Sequence, residues 1–332
     1  MAQRYLITGC AGFIASKVAQ LLLDAGHEVV GVDDLNDSTD PRLKRWRLER
    51  LRARKGFHYH HQDICERAGL EALFEADGRG RARPYDALLN LAARVGVRAS
   101  VEDPWIYQRV NTEGTLNLLD LCRRHAVPKF VLASTSSLYG AHNPVPYSEE
   151  ADTSRPLSPY AASKKGAEAL AYSYHHLYQL DVSVVRYFTV YGPAGRPDMS
   201  VFRFIRRIAL GEPLYVFGDG HQQRDFTYVD DIARGTIAAL RPLGFEVLNL
   251  GGDQPVSVLQ LIERISGLVR QRARIEHRPA HAADVSATWA NVEKAGRLLG
   301  WRAEIGLEEG LRRTVEWFQQ NRQLALSVDT RE

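Results

Sequence analysis

Methionine and cysteine are scarce in this chain, two and three among 332 residues. Cys10, Cys65 and Cys122 stand far apart and form no C-x-x-C pair, so neither a disulfide framework nor a thiolate zinc site is expected. No apolar run approaches the ~20 residues of a membrane span, and no secretory leader is read before Tyr5. These absences predict no membrane partner and a reducing, cytoplasmic setting. Repeats and low-complexity stretches are missing as well. Overall charge is nearly balanced, +3 at pH 7, with one local exception: Arg42 to Lys55 holds eight Lys/Arg against one Glu. No aromatic stacking set or reader motif accompanies it, so no nucleic-acid partner is expected; a solvated basic face near an anionic ligand is the better reading. His58, His60 and His61 alternate across a strand-like run, and His175 and His176 diverge on a helix. Neither set has ligand spacing, and no metal site is expected.

What is present alternates. Strand-like runs at 4–8, 28–33, 57–61, 85–91, 129–134 and 182–187 are separated by helical patterns, with amphipathic stretches at about 104–125 and 160–180. This predicts an α/β fold, a doubly wound parallel sheet. After Tyr187 the rhythm changes. Residues 1–190 with about 225–251 are assigned to a dinucleotide-binding domain, and about 191–224 with 252–320 to a smaller C-terminal α/β subdomain. The tail 321–332 is expected to fray.

Arg4 to Thr8 reads as a strand, and Gly9-Cys10-Ala11-Gly12-Phe13-Ile14-Ala15 opens an apolar-periodic helix. Strand, glycine turn and helix N-terminus together make a pyrophosphate cradle. Ala15 takes the third glycine position. Asp33 ends the next strand, about 20 residues on, where an acid binds the adenosine ribose and repels a 2′-phosphate. NAD is therefore expected rather than NADP. Further on, Tyr160 and Lys164 lie four apart at the start of a predicted helix, hence on one face. A nearby ammonium favours phenolate. Lowering a phenol from ~10 by about three units takes roughly 4 kcal/mol. Upstream, the buried strand from Lys129 ends in four hydroxyls, Ser134 to Ser137, at the sheet edge where ligands bind in open α/β sheets.

These residues are similar to the extended short-chain dehydrogenase/reductases, and within them to the nucleotide-sugar epimerases. The carriers are Thr8-Gly9-x-x-Gly12-Phe13-Ile14, Asp33-Asp34-Leu35-Asn36, Asp63-Ile64, Leu91-Ala92-Ala93, Ser134-Thr135-Ser136-Ser137-x-Tyr139-Gly140 and Tyr160-x-x-x-Lys164. Arg186 to Pro193, Gly195-Arg196-Pro197-Asp198-Met199 and Arg224 to Asp231 extend the resemblance over nearly the whole chain. It runs closest to the subgroup acting at C4 of UDP-glucuronate. The resemblance implies Tyr160 as general base, Lys164 as partner of the nicotinamide ribose and of the phenol, and Thr135 on the sugar 4-hydroxyl. Asn36 would join Asp33 at the adenosine end, with Asp63 and Ile64 at adenine. Leu91, Ala92, Ala93 and Tyr187 would pass along the cofactor, and Asn111 would support that loop. Tyr215 and Phe217 would lie by uridine, Arg224 on the diphosphate and Asp284 on the uridine ribose. His281 stands where relatives have a second phosphate-binding arginine, leaving Arg278 as the substitute. A homodimer through a four-helix bundle, built from the stretches near 104–125 and 160–180, is also implied.

Removing hydride from C4 of a uronate gives a β-keto acid, which loses CO2 when its carboxylate aligns with the ketone. Ser136, Ser137, Thr189 and Arg196, beside Met199, are expected to hold that carboxylate; charge-assisted bonds of this kind contribute roughly 1.5–3 kcal/mol each. Related dehydratases and decarboxylases carry an acid where this chain has Ser137. The expected reaction is therefore epimerisation of UDP-glucuronate to UDP-galacturonate. The alternatives are a UDP-glucose 4-epimerase, a dehydratase or decarboxylase, and a non-catalytic NAD sensor.

Overall fold

The computed structural model describes residues 2–279 and 286–330. Six parallel strands come first: β1 (Arg4–Thr8), β2 (Glu28–Asp33), β3 (Phe57–His61), β4 (Ala87–Asn90), β5 (Lys129–Thr135) and β6 (Asp181–Tyr187). With Phe245–Leu250 they form a seven-stranded sheet in the order β3-β2-β1-β4-β5-β6 and then 245–250. All its pairings are parallel. The strand order reverses between β1 and β4, which places a crevice at their carboxyl ends. Alternation decides the two faces: Leu6, Val30, Leu88 and Phe130 pack on one side, and Tyr5, Ile7, Val29, Leu89 and Val131 on the other. Both faces of the central strands are covered, so these read as near-continuous apolar runs, whereas the edge strand β3 is largely exposed.

Smaller sheets follow. Thr189–Tyr191, Gln223–Tyr228, Pro255–Ser257 and Ala287–Thr288 form one, and Pro213–Phe217 with Arg274–Arg278 another. A third apolar cluster, containing Phe202, Ile205, Leu261 and Phe318, packs around them. The end of the chain is held in place. After helix Leu307–Gln320, Ala325 and Val328 are buried, and the Asp329 N–H donates to Asp40 at 2.8 Å. The tail thus packs back onto the fold through Thr330. No helix among the described residues is long and apolar enough to cross a membrane.

The stretch expected as one helix near 104–125 is interrupted. Pro104–Tyr107 is α-helical, Gln108–Glu113 is a π-helical turn, and Gly114–Arg124 resumes the α-helix. The wider turn re-aims Asn111 inward. Its Oδ1 accepts from the Arg94 N–H at 2.8 Å, and its Nδ2 donates to the Arg94 carbonyl at 3.0 Å and to Ser163 Oγ at 2.9 Å. An inserted π turn at such a position is how helices bend a side chain toward a site.

Candidate active site

A cleft of about 360 Å³ opens at the carboxyl ends of β1, β2, β4, β5 and β6. At its glycine turn, Gly9 has φ +69°, and a Cβ there would stand 2.8 Å from the Ala92 backbone. A Cβ on Gly12 would lie 2.8 Å from the Gly9 carbonyl. Only bare backbone fits both places. The helix that follows, α1 (Phe13–Asp24), has no side-chain cap and no acid in its first turn, so its free N–H groups favour an anion. The sequence-expected Phe13, Ile14, Asp33, Asn36, Asp63 and Ile64 all line this cleft, as do Leu91, Ala92, Ala93 and Tyr187. Such a set fits an extended dinucleotide. Asn111 lies behind the wall, where it holds the 94 loop.

Asp33 is more occupied than expected. Its Oδ2 accepts from the Ala11 N–H at 3.1 Å and its Oδ1 from the Leu35 N–H at 2.8 Å. Lys44 Nζ lies 3.6 Å from Oδ1 and donates to Asn36 Oδ1 at 3.1 Å. Lys44 belongs to α2 (Pro41–Arg52), the basic run read as a solvated face. That reading needs correction. Lys44 and Arg47 are buried on its inner side and both line the cleft. Arg47 Nη2 donates to the Ala194 carbonyl at 2.6 Å and Nη1 to the Ala11 carbonyl at 3.1 Å.

Thr135, Ser136, Ser137, Tyr160, Lys164, Thr189, Arg196 and Met199 line the same cleft. The Ser158 side chain caps helix Pro159–Tyr178 and Pro159 starts it, which places Tyr160 in the first turn. Lys164 is buried and donates from Nζ to the Ala133 carbonyl at 3.0 Å. Burial pushes its pKa down to about 8, with Glu168 acting in the opposite sense. The expectation that Lys164 lowers the Tyr160 phenol is not met by the protein groups alone. Burial raises that phenol, and the groups that draw it back are Thr135, by hydrogen bonding, and the Arg196 charge. The reason is geometric, since the Lys164 ammonium is turned to the β5 backbone. Arg196 carries its own acid: Nε donates to Asp198 Oδ1 at 3.1 Å, and Nη2 is bonded to Oδ2.

The remaining expected residues lie apart. Tyr215 and Phe217, on Pro213–Phe217, do not line this cleft; Arg278 and Arg207 cover the Tyr215 ring at 3.5 and 4.8 Å, and Arg98 covers Phe217 at 4.7 Å. Arg224, on Gln223–Tyr228, is also outside its lining and donates to the Gln223 carbonyl at 2.8 Å. Asp284 and His281 lie outside the described residues.

The family model for GDP-mannose 4,6 dehydratase matches residues 6–314. The chain belongs to that family. Its relatives within the family include a UDP-glucuronate 4-epimerase of Thermodesulfobacterium geofontis, 53% identical over 325 residues, 98% of either chain. The fold matches that of UDP-glucuronic acid 4-epimerase from Bacillus cereus, solved in complex with UDP-glucuronic acid and NAD. That match has a TM-score of 0.88 and 35% identity, and covers 96% of this chain and 99% of that one. UDP-glucose 4-epimerase from Thermotoga maritima, solved with UDP-glucose, matches at TM-score 0.84 and 30% identity over 96% of this chain and 99% of that one. Lys44 and Arg47 are among the cleft-lining residues that the sequence reading does not single out, as are Ser38, Thr39 and Gln62. The only signal for Lys44 and Arg47 was a basic run too dense for a merely solvated helix.

Proposed function

We propose that this chain is an NAD-dependent UDP-glucuronate 4-epimerase, interconverting UDP-glucuronate and UDP-galacturonate through a transient 4-keto sugar. The observation that carries the reading is one cleft holding a Tyr160–Lys164 pair, the Thr135 hydroxyl and, beside them, Arg196 with Ser136, Ser137 and Thr189. Bound NAD supplies the acceptor and then the donor of the C4 hydride, so no net oxidation results. Tyr160 takes the 4-hydroxyl proton and, once the keto sugar has turned its other face, returns it to the same oxygen, with Thr135 holding that oxygen in line. Lys164, anchored on the Ala133 carbonyl, is read as the partner of the nicotinamide ribose. Ser136, Ser137, Thr189 and Arg196 hold the carboxylate out of alignment with the ketone, which prevents loss of CO2. Ser137 stands where a dehydratase needs an acid, and this argues against elimination despite the family's name. We read Tyr215, Phe217 and Arg224 as the uridine diphosphate end.

Residues 1–190 with about 225–251 are assigned to cofactor binding, and about 191–224 with 252–320 to the nucleotide sugar. The strand Phe245–Leu250 in the large sheet supports that division. A homodimer is also part of this reading. It is supported by exposed Trp105, Leu116 and Leu177 on the segments that would form a four-helix bundle, Trp105 being 82% exposed. Three cysteines without disulfides accord with the reducing cytoplasm. One observation favours a second reading: Arg196 already has a carboxylate partner in Asp198, as a neutral UDP-hexose epimerase would tolerate.

Incubating purified protein with UDP-glucuronate, UDP-glucose and dTDP-glucose, and following products by NMR, tests these readings together. UDP-galacturonate formation without NADH accumulation is expected. Conversion of UDP-glucose alone would move the assignment to the second reading, and a stoichiometric release of NADH would replace both with a dehydrogenase. Light scattering at micromolar concentration should give twice the chain mass, and a single-chain mass would remove the dimer.

A further inference from the structure

Behind the cleft wall lies a buried polar network that touches no reacting atom in the reading above. Glu168 sits one helical turn after Lys164 and is 4% exposed. Its Oε1 accepts from Ser134 Oγ at 2.6 Å and from Arg186 Nε at 2.9 Å, and its Oε2 accepts from Arg186 Nη2 at 2.7 Å. Arg186 Nη1 donates onward to the Tyr139 hydroxyl at 3.0 Å, which donates to Asn249 Oδ1 at 2.6 Å. Desolvating a carboxylate and a guanidinium costs several kcal/mol per ion, and a well-packed apolar pair often matches or exceeds such a bridge in stability. A contribution to folding is therefore a weak account of why these charges sit here.

Their position is informative. Ser134 lies between Ala133, whose carbonyl accepts the Lys164 ammonium, and Thr135, which faces the Tyr160 phenol. Ser134 is also in direct register with Arg186 across β5 and β6. One carboxylate thus joins three elements: the helix bearing Tyr160 and Lys164, the end of β5, and β6. We propose that Glu168 is a positioning residue for the proton transfer, fixing the Ala133–Thr135 segment against Tyr160 and Lys164 through Ser134 and keeping negative charge one turn from the Lys164 ammonium. This rests on the Tyr160–Lys164 reading of the site.

Among the described residues, Arg186 approaches Glu168 from β6, Ser134 from β5, and Lys164 and Lys165 from its own helix, the latter 3.9 Å from Oε2. Tyr139 and Glu149 reach Arg186 instead: the Arg186 guanidinium covers the Tyr139 ring, and the Glu149 carbonyl accepts from Arg186 Nη1 at 3.4 Å while its carboxylate accepts from the Asn249 N–H at 2.8 Å. Removing the Glu168 charge leaves Arg186 uncompensated near Lys164, so the ammonium should lose its proton at lower pH.

The test uses the NAD-loaded enzyme and its Ser134→Ala, Glu168→Gln and Tyr160→Phe variants, with rates expressed per bound NAD. Ser134→Ala removes one hydrogen bond and is expected to lower kcat about tenfold while the UDP-glucuronate KM stays within about twofold. Glu168→Gln is expected to move the alkaline limb of kcat/KM down by about one pH unit, a tenfold loss above that limb. A purely structural role would lower yield and melting temperature but leave kcat per site and the limb unmoved, and that result overturns the proposal. Tyr160→Phe separates the two levels. If it is inactive while both other variants behave as wild type, Glu168 positioning fails alone; if it stays active, the catalytic reading fails and takes this one with it.

Discussion

Burial acts on Tyr160 and Lys164 in opposite senses, raising the phenol and lowering the ammonium. Lys164 is pushed from an ordinary 10.5 down to about 8, so its charge survives at neutral pH and is lost above about 8. Since the folded value lies below the unfolded one, this charge costs stability at neutral pH, and stability is regained as pH rises from about 8 toward 10.5. Activity should move the other way. A single-proton decline in kcat/KM above about pH 8 is expected in a pH series, and Lys164→Met should abolish that limb along with most of the rate. Arg196 invites a different test at the same scale. Its pairing with Asp198 leaves one edge of a planar fork for a second carboxylate. Arg196→Ala is therefore expected to lower kcat/KM for UDP-glucuronate by thirty- to several-hundred-fold, about 2–4 kcal/mol, and to release some UDP-pentose as the freed carboxylate aligns with the ketone. Steady-state kinetics with product analysis checks both. Unchanged kinetics and no pentose would place the carboxylate elsewhere.

Among the elements, those whose signal is periodicity were legible in the sequence. Mostly apolar runs bounded by turns mark β1, β2 and β6 nearly to their ends, because both sheet faces are buried there, whereas the edge strand β3 shows itself by the alternation of Phe57 and Tyr59 with exposed histidines. The β4 run was read at 85–91 and pairs only over Ala87–Asn90. Tyr85 donates to Asp77 before the strand begins, and Leu91 has already turned into the cleft. The π turn at Gln108–Glu113 is hidden because Gln108-Arg109-Val110-Asn111-Thr112-Glu113 is mostly polar and marks no phase change; what fixes it is Asn111's bonds to Arg94 and Ser163, which are distant in sequence. The glycine turn shows the opposite case, a motif legible because sterics leave one solution. Gly9→Ala forces a Cβ to 2.8 Å from Ala92 in a left-handed conformation. A loss of about 1–3 kcal/mol in unfolding free energy is expected by denaturant titration, with weaker NAD retention on gel filtration. Retention equal to wild type would show that the turn relaxes without cost.

At the scale of the whole molecule, the glycine turn and the loop that carries Arg196 are far apart in sequence, and the Arg47 side chain bonds to both. Charge patterning shows that α2 is basic but not which cation turns inward, because that depends on carbonyls supplied by the 194–195 loop more than a hundred residues later. Arg47 is 4% exposed and reaches the carbonyls of Ala11, Ala194 and Gly195. Burial pushes its pKa down to about 10, with Asp33 acting against that, so it remains charged at any working pH. Ala11 directly precedes the second glycine of the dinucleotide turn and Gly195 directly precedes Arg196, so movement at either loop is felt at the other. Arg47→Ala leaves these carbonyls short of a donor in a dry setting, a loss of about 1–3 kcal/mol for each group left unsatisfied. Both NAD affinity and the UDP-glucuronate KM should worsen, while UDP-glucose, which has no carboxylate to place, should lose less. Calorimetric NAD binding and parallel kinetics on the two sugars check this. Equal losses on both sugars would mean that Arg47 serves the cofactor loop alone, and the two halves of the site would then be assembled independently.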